Sequence, residues 1–170
     1  CSGLVGSEMC IRDRGKAIAG ALNLILPMDL IVAAEDAKFS DPVVLMAIGG
    51  VEYHGHTWDF GARRAKDMLF TGRAWTAQEA LQMGFVREVV SRDELWDRAD
   101  ALAREIAPKN PFGLAQAKRA VNQTLDVQGY YAALQSVFDV HHTGHGNAMS
   151  HTGHPILMDL DGMKQELKKS

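Results

Sequence analysis

The stretch Ile18 to Pro42, IAGALNLILPMDLIVAAEDAKFSDP, passes from a helical period to a strand and so decides the fold. Ile18 to Leu26 is apolar, with small residues at Ala17, Ala19, Gly20 and Ala21, which suits a buried helix entered from a tight turn. Pro27 has no N–H to give and ends it. Asp29 to Ala34, DLIVAA, is a short β-branched run bounded by charge. Such a run without alternation predicts a buried strand of a parallel or mixed sheet. Ala37 to Phe39 predicts a second short strand before Asp41 and Pro42 turn the chain. The fold class that follows is α/β.

Upstream, Leu4 to Asp13, LVGSEMCIRD, reads back into codons resembling a transposase adaptor of the kind ligated onto DNA for sequencing. A scar of that sort is set aside from fold reasoning. Residues 1–14 are therefore expected to be a non-native segment, with native sequence beginning near Arg14 or Gly15 inside something longer; the alternative is a natural charged tail. Both cysteines, Cys1 and Cys10, fall in this segment, which leaves the rest without a disulfide or thiolate metal site. A reducing compartment fits, and a cytoplasmic location is expected. The formal net charge of -3, with no clustered excess of Lys and Arg, argues against a nucleic-acid partner. The apolar run Ala17 to Met28 is interrupted by Asn23 and Pro27 and falls short of the ~18 residues of a membrane span, so no membrane partner is expected.

Downstream, Gly49, Gly50 and Gly55 mark a loop whose glycines permit close backbone approach. Trp58 to Phe70 predicts one amphipathic helix, with Phe60, Ala65, Met68 and Leu69 on a single face. Gly72 closes it, Thr76 and Glu79 form a capping box for the next helix, and Gly84 stops that one before a strand over Phe85 to Val90. Leu95, Ala99, Leu102, Ala103 and Ile106 repeat at helical spacing up to Pro108 and Pro111. Further helices are predicted over Phe112 to Leu125, Tyr130 to His142 and Leu160 to Lys169. Residues 15–110 are thus expected to form a core and 111–170 a helical region.

Three pieces of the chain resemble the enoyl-CoA hydratase/isomerase, or crotonase, family. They are Ile18 to Pro42, quoted above; ARRAKDMLFTGRAWTAQEALQMGFVREVV at Ala62 to Val90; and PFGLAQAKRAVNQTL at Pro111 to Leu125. The resemblance implies a spiral of ββα turns, of which residues 15–110 would be the C-terminal part, followed by a helical trimerisation region. It also implies a homotrimer or dimer of trimers. The substrate implied is an acyl-CoA thioester, with coenzyme A entering as part of it and no separate cofactor or metal. The implied reaction is addition of water to a 2-enoyl-CoA.

Chemistry beside a thioester builds charge on its carbonyl oxygen, which backbone N–H groups aimed at that oxygen stabilise. By the resemblance, one such donor is the N–H of Gly20, at a helix start where N–H groups are unpaired. The plainer alternative is that Gly20 relieves crowding where helix meets strand. The residues expected to line the substrate are Ala19, Gly20, Pro42, Gly50 and His54. The two glutamates with which hydratases of this family hold water correspond here to Asn23 and Val43. Asn23 orients a water or carbonyl but exchanges no proton, and Val43 does neither. Asp41, two residues before Val43, takes over one role only if the alignment shifts.

A substitute base is offered by GGVEYHGHTW, where Glu52, His54 and His56 alternate; Glu52 is the candidate, against a structural reading in which it pairs with Arg63. Loss of both glutamates keeps other readings open: isomerisation, decarboxylation or hydrolysis through an enolate, or a noncatalytic acyl-CoA-binding or assembly subunit. Among His141, His142, His145, His151 and His154, the first and third share a helix face at a spacing that suits a transition metal. No Cys or HExxH completes a site, and packing or hydrogen bonding is the expected role. Trp58, Trp75 and Trp96 are expected as core anchors. Lys164, Lys168 and Lys169 are expected on a solvated face, the alternative being contact with CoA phosphates.

Overall fold

The computed structural model describes residues 10–13 and 15–166. Strands β1 (Cys10–Asp13) and β2 (Lys16–Ile18) lead into helix α1 (Gly20–Ile25), followed by β3 (Leu30–Ala34) and β4 (Lys38–Ser40). β3 pairs in parallel with β1, and β4 in parallel with β2, so each turn of chain lays one strand on each of two small sheets. A 3-10 turn (Val43–Met46) and helices α2 (His56–Phe60) and α3 (Ala62–Thr71) come next. The following turn adds β5 (Trp75–Thr76) antiparallel to β4 and, after α4 (Ala77–Gln82), β6 (Glu88–Val90) parallel to β3. The resulting orders, β1-β3-β6 and β2-β4-β5, are the α/β spiral expected of a crotonase-like chain. Four helices complete it: α5 (Leu95–Ile106), α6 (Pro111–Val127), α7 (Tyr130–Thr152) and α8 (Leu160–Glu166).

Several boundaries differ from expectation. Residues 10–13, set aside with the rest of 1–14, stand in register with Leu30 to Ala33. Ladder bonds come from backbone groups, so a segment of any origin fills such a place. Residues 1–9 lie outside the described residues, as do Lys168 and Lys169. Ile18 belongs to β2, and the helix begins at Gly20. The single helix expected over Trp58 to Phe70 is two, because Gly61 between them takes φ 75°. The strand expected from Phe85 shrinks to Glu88–Val90, and α7 runs ten residues past His142 to Thr152.

The main core lies where α1, α3 and α4 meet β4 and β5. Leu22, Phe39, Phe60, Met68, Trp75 and Val86 are buried there, and the Phe60 ring stands edge-on to Trp75 and Phe85, each 4.9 Å away. Burial of an aromatic ring of this size is worth roughly 2–3 kcal/mol. α5 covers the other sheet through Leu95 and Leu102 against Val32 and Ala34. A third cluster, Val43, Ile48, Val51 and Leu69, seats the loop after the 3-10 turn. Trp75 is a core anchor, whereas Trp96 is 54% exposed, and Trp58 is half-buried with its ring 5.2 Å from that of Tyr130. Helix α6 buries none of its residues and leaves Phe112, Val121 and Val127 in the open.

Candidate active site

Helix α1 starts abruptly. Ala19 takes φ 51° and ψ −118°, its N–H donates to the Ser40 carbonyl at 2.9 Å, and its carbonyl accepts from the Asn23 N–H at 3.2 Å. Gly20 is therefore the first helical residue, and its N–H has no carbonyl of the same helix to pair with. Gly20 is exposed, and a Cβ built on it would meet nothing within 4 Å. Relief of crowding among the described residues thus does not explain this glycine.

One turn further on, the Asn23 Nδ2 donates to Glu52 Oε2 at 3.3 Å, while its Oδ1 is buried without a partner. Two residues singled out for different reasons are thereby joined across 29 positions of sequence. Glu52 has its other neighbour in His141, whose Nε2 lies 3.7 Å from Oε1, in place of the expected Arg63. The Glu52 side chain is 64% exposed, so water reaches the carboxylate. A hydrated carboxylate steadied by an amide, beside a helix start with a free N–H, has the parts that proton abstraction next to a carbonyl requires.

The remaining candidates sit on the same loop, at the start of α2 and on the turn before it. His54 stacks on His56 at 5.0 Å and bonds through Nε2 to the Thr57 hydroxyl at 2.9 Å; desolvation, and next the facing His56, push it down to about 4. His54 is consequently a neutral imidazole at neutral pH. His56 Nε2 is 3.0 Å from Asp41 Oδ2 with both side chains fully enclosed, which closes Asp41 off from solvent. Val43 sits in the third apolar cluster. Pro42 is fully buried, and Gly50 is pressed against α7, where a Cβ would come within 2.7 Å of the His141 nitrogen and the Val137 oxygen. Pro42 and Gly50 are thus buried, while Ala19 and Gly20 are reachable from solvent.

Sequence reasoning missed the partnership of His141, one of the C-terminal histidines, with Glu52. Their four-residue spacing was visible; their target was not. No group of three His, Cys, Asp or Glu side chains converges for a metal ion among the described residues. A cavity of about 430 Å³ opens beyond the C-terminal end of α1, lined by Leu26, Met28, Tyr53, Asp59, Lys118 and Tyr130 among others. The two tyrosine hydroxyls there are hydrogen-bonded to each other, burial pushes both phenols up, and desolvation lifts Asp59 to about 6.

A family model described as Enoyl-CoA hydratase/isomerase matches residues 12–153. EchA13 of Mycobacterium tuberculosis, which carries a provisional enoyl-CoA hydratase name, is 39% identical over 140 residues, covering 82% of this chain and 44% of that protein. The crystal structure of a probable enoyl-CoA hydratase from Mycobacterium smegmatis superposes with a TM-score of 0.84 at 62% identity, covering 87% of this chain and 61% of that one. A probable enoyl-CoA hydratase from Mycobacterium thermoresistibile gives 0.82 at 67% identity, with 85% and 58% covered. This chain therefore spans less than half of its curated relative and about three fifths of each crystallised one.

Proposed function

Because this chain belongs to the enoyl-CoA hydratase/isomerase, or crotonase, family, we propose that the protein adds water across the double bond of a 2-enoyl-CoA, with Glu52 as its base. The observation that carries this reading is the hydrogen bond from Asn23 to Glu52, which holds a carboxylate against a side chain one turn along α1 from Gly20 although neither usual glutamate is present. Glu52 takes a proton from water as the water oxygen bonds to the β-carbon. The electron pair of the double bond moves toward the thioester oxygen, where the Gly20 N–H stabilises it. The α-carbon then recovers the proton from Glu52, and one water has been added.

Val43 favours a second reading. Its place in an apolar cluster leaves one carboxylate where hydration ordinarily uses two, and one base suffices to shuttle a proton between the α- and γ-carbons of an enoyl-CoA. Crotonyl-CoA distinguishes the two. Hydration bleaches the conjugated enoyl absorbance, and Glu52→Gln is expected to slow that by the 10²–10⁴-fold typical of a lost general base. An unchanged absorbance despite measurable binding of the CoA ester rules hydration out, and appearance of the conjugated chromophore from a 3-enoyl-CoA supports isomerisation. The same family reading supports a cytoplasmic homotrimer or dimer of trimers, and the apolar side chains left open on α6 are consistent with a subunit seam.

A further inference from the structure

The cavity of about 430 Å³ beyond the C-terminal end of α1 takes no part in the chemistry proposed above, and neither Gly20 nor Glu52 is among its lining residues. Leu26, which does line it, lies six residues along the chain from Gly20, about 9 Å at the rise of a helix. The volume is that of a small-molecule pocket. Leu26, Met28 and Leu125 give it apolar wall, and between α2 and α7 the rings of Tyr53 and Tyr130 stand edge to face with centroids 6.5 Å apart. Their hydroxyls bond to each other, which uses one O–H and leaves the pair with more lone pairs than hydrogens to offer.

The charges in the wall do not balance. Lys118 is held by Asp29 at 2.7 Å, whereas Asp59 and Asp126 form no ion pair among the described residues. Burial above all, with the bond to Tyr53 and the charges of Asp59 and Asp126 behind it, holds the Tyr130 phenol up, so the surroundings resist further negative charge. We propose that this cavity is a binding site for a small organic ammonium ion, whose apolar body lies against Leu26, Met28 and Leu125 and whose charge is met by Asp59, Asp126 and the two tyrosine rings. A neutral guest leaves both carboxylates unmatched, and an anion is repelled by them. A bare metal ion finds no use for the apolar wall, and no set of ligating side chains converges on one among the described residues.

Isothermal titration of the full-length protein with benzylammonium chloride near neutral pH tests the site. Saturable binding is expected with a dissociation constant of about a millimolar or tighter, and benzyl alcohol and benzoate, of similar shape, should bind at least about tenfold more weakly. No binding of benzylammonium, or equal affinity for the alcohol, overturns the proposal. Asp59→Asn should weaken benzylammonium by about tenfold while circular dichroism shows the variant folded; an unchanged affinity overturns the assignment of this carboxylate. Asp36→Asn is the control, because that carboxylate pairs with Arg92. It should bind like the parent, and an equal loss there would reduce the effect to net charge and remove the site. Displacement of benzylammonium by crotonyl-CoA would make the cavity part of the thioester's own site and overturn it as a separate one. None of these readouts needs turnover, so they stand whatever becomes of the hydratase reading.

Discussion

Asp41 Oδ2 stands 3.0 Å from His56 Nε2, and neither side chain has any surface in contact with solvent. Asp41 follows β4 and His56 opens α2, so the pair ties the second sheet to the loop that carries Glu52. None of the four polar atoms of these side chains has a hydrogen-bond partner among the described residues, so the ion-pair contact alone offsets their burial, and removing one partner takes that offset away. Asp41→Ala or His56→Ala is expected to lower unfolding free energy by about 3–5 kcal/mol. The double change Asp41→Leu with His56→Phe should recover much of it. Urea unfolding of the three variants checks this, and a loss below about 1 kcal/mol for each single change would show that the pair is not holding the loop.

Gly50 is where the same loop touches α7. A Cβ there would fall 2.7 Å from two backbone atoms, His141 N and Val137 O, neither of which moves without displacing the helix. Gly50→Ala should therefore destabilise by about 1–3 kcal/mol, the usual range for overpacking. It should also pull the Gly50 carbonyl away from His141. Gly49→Ala is the matched control, because nothing lies within 4 Å of its added Cβ. Equal unfolding midpoints for the two variants would contradict the close approach.

His54 and Asp59 give opposite dependences on pH. Folded His54 is held at about 4, below its ordinary 6.5, so the unfolded chain binds more protons between those values. Stability from this group is lost as pH falls through that window, by on the order of 2 kcal/mol at pH 5. Folded Asp59 titrates near 6 against an ordinary 3.8, so the native state binds more protons there and stability falls as pH rises from 3.8 to 6. Asp59 is exposed, and screening keeps its effect below about 1 kcal/mol. His54→Gln should gain relative to the parent at pH 5, and Asp59→Asn should gain at pH 7.5. Thermal melts at both pH values decide; a His54→Gln variant with no advantage at pH 5 would refute the first shift.

What was legible in the sequence was mostly local. Thr76 and Glu79 sit three residues apart, and both halves of their capping box form, with the Glu79 N–H donating to the Thr76 hydroxyl at 3.1 Å and the Thr76 N–H to Glu79 Oε2 at 2.8 Å. Gly72 ends α3 at φ 63°, as a glycine after a helix does. The break at Gly61 is masked in the sequence because Phe60, Ala65, Met68 and Leu69 keep a helical period straight across it. α7 runs on past His142 through Gly144 and Gly146. Gly144 in fact stays helical, and its missing side chain lets the helix close on Ile48, whose Cα would be 3.2 Å from an added Cβ. Asn23 and Glu52 were each visible as residue types, but their meeting depends on how the loop folds back over α1, which no period encodes.

Ala19 holds a left-handed φ that a side chain resists, in the one peptide that turns the chain from β2 into α1. The turn behaves like a wound spring, with the amide of Gly20 at its free end. Replacing Ala19 by glycine should unwind it: the fold gains up to about 1 kcal/mol from the relieved conformation, yet that amide becomes free to wander. A protein that melts later and turns over more slowly is the expected result, and one that turns over faster would mean that aim at residue 20 owes nothing to tension at residue 19.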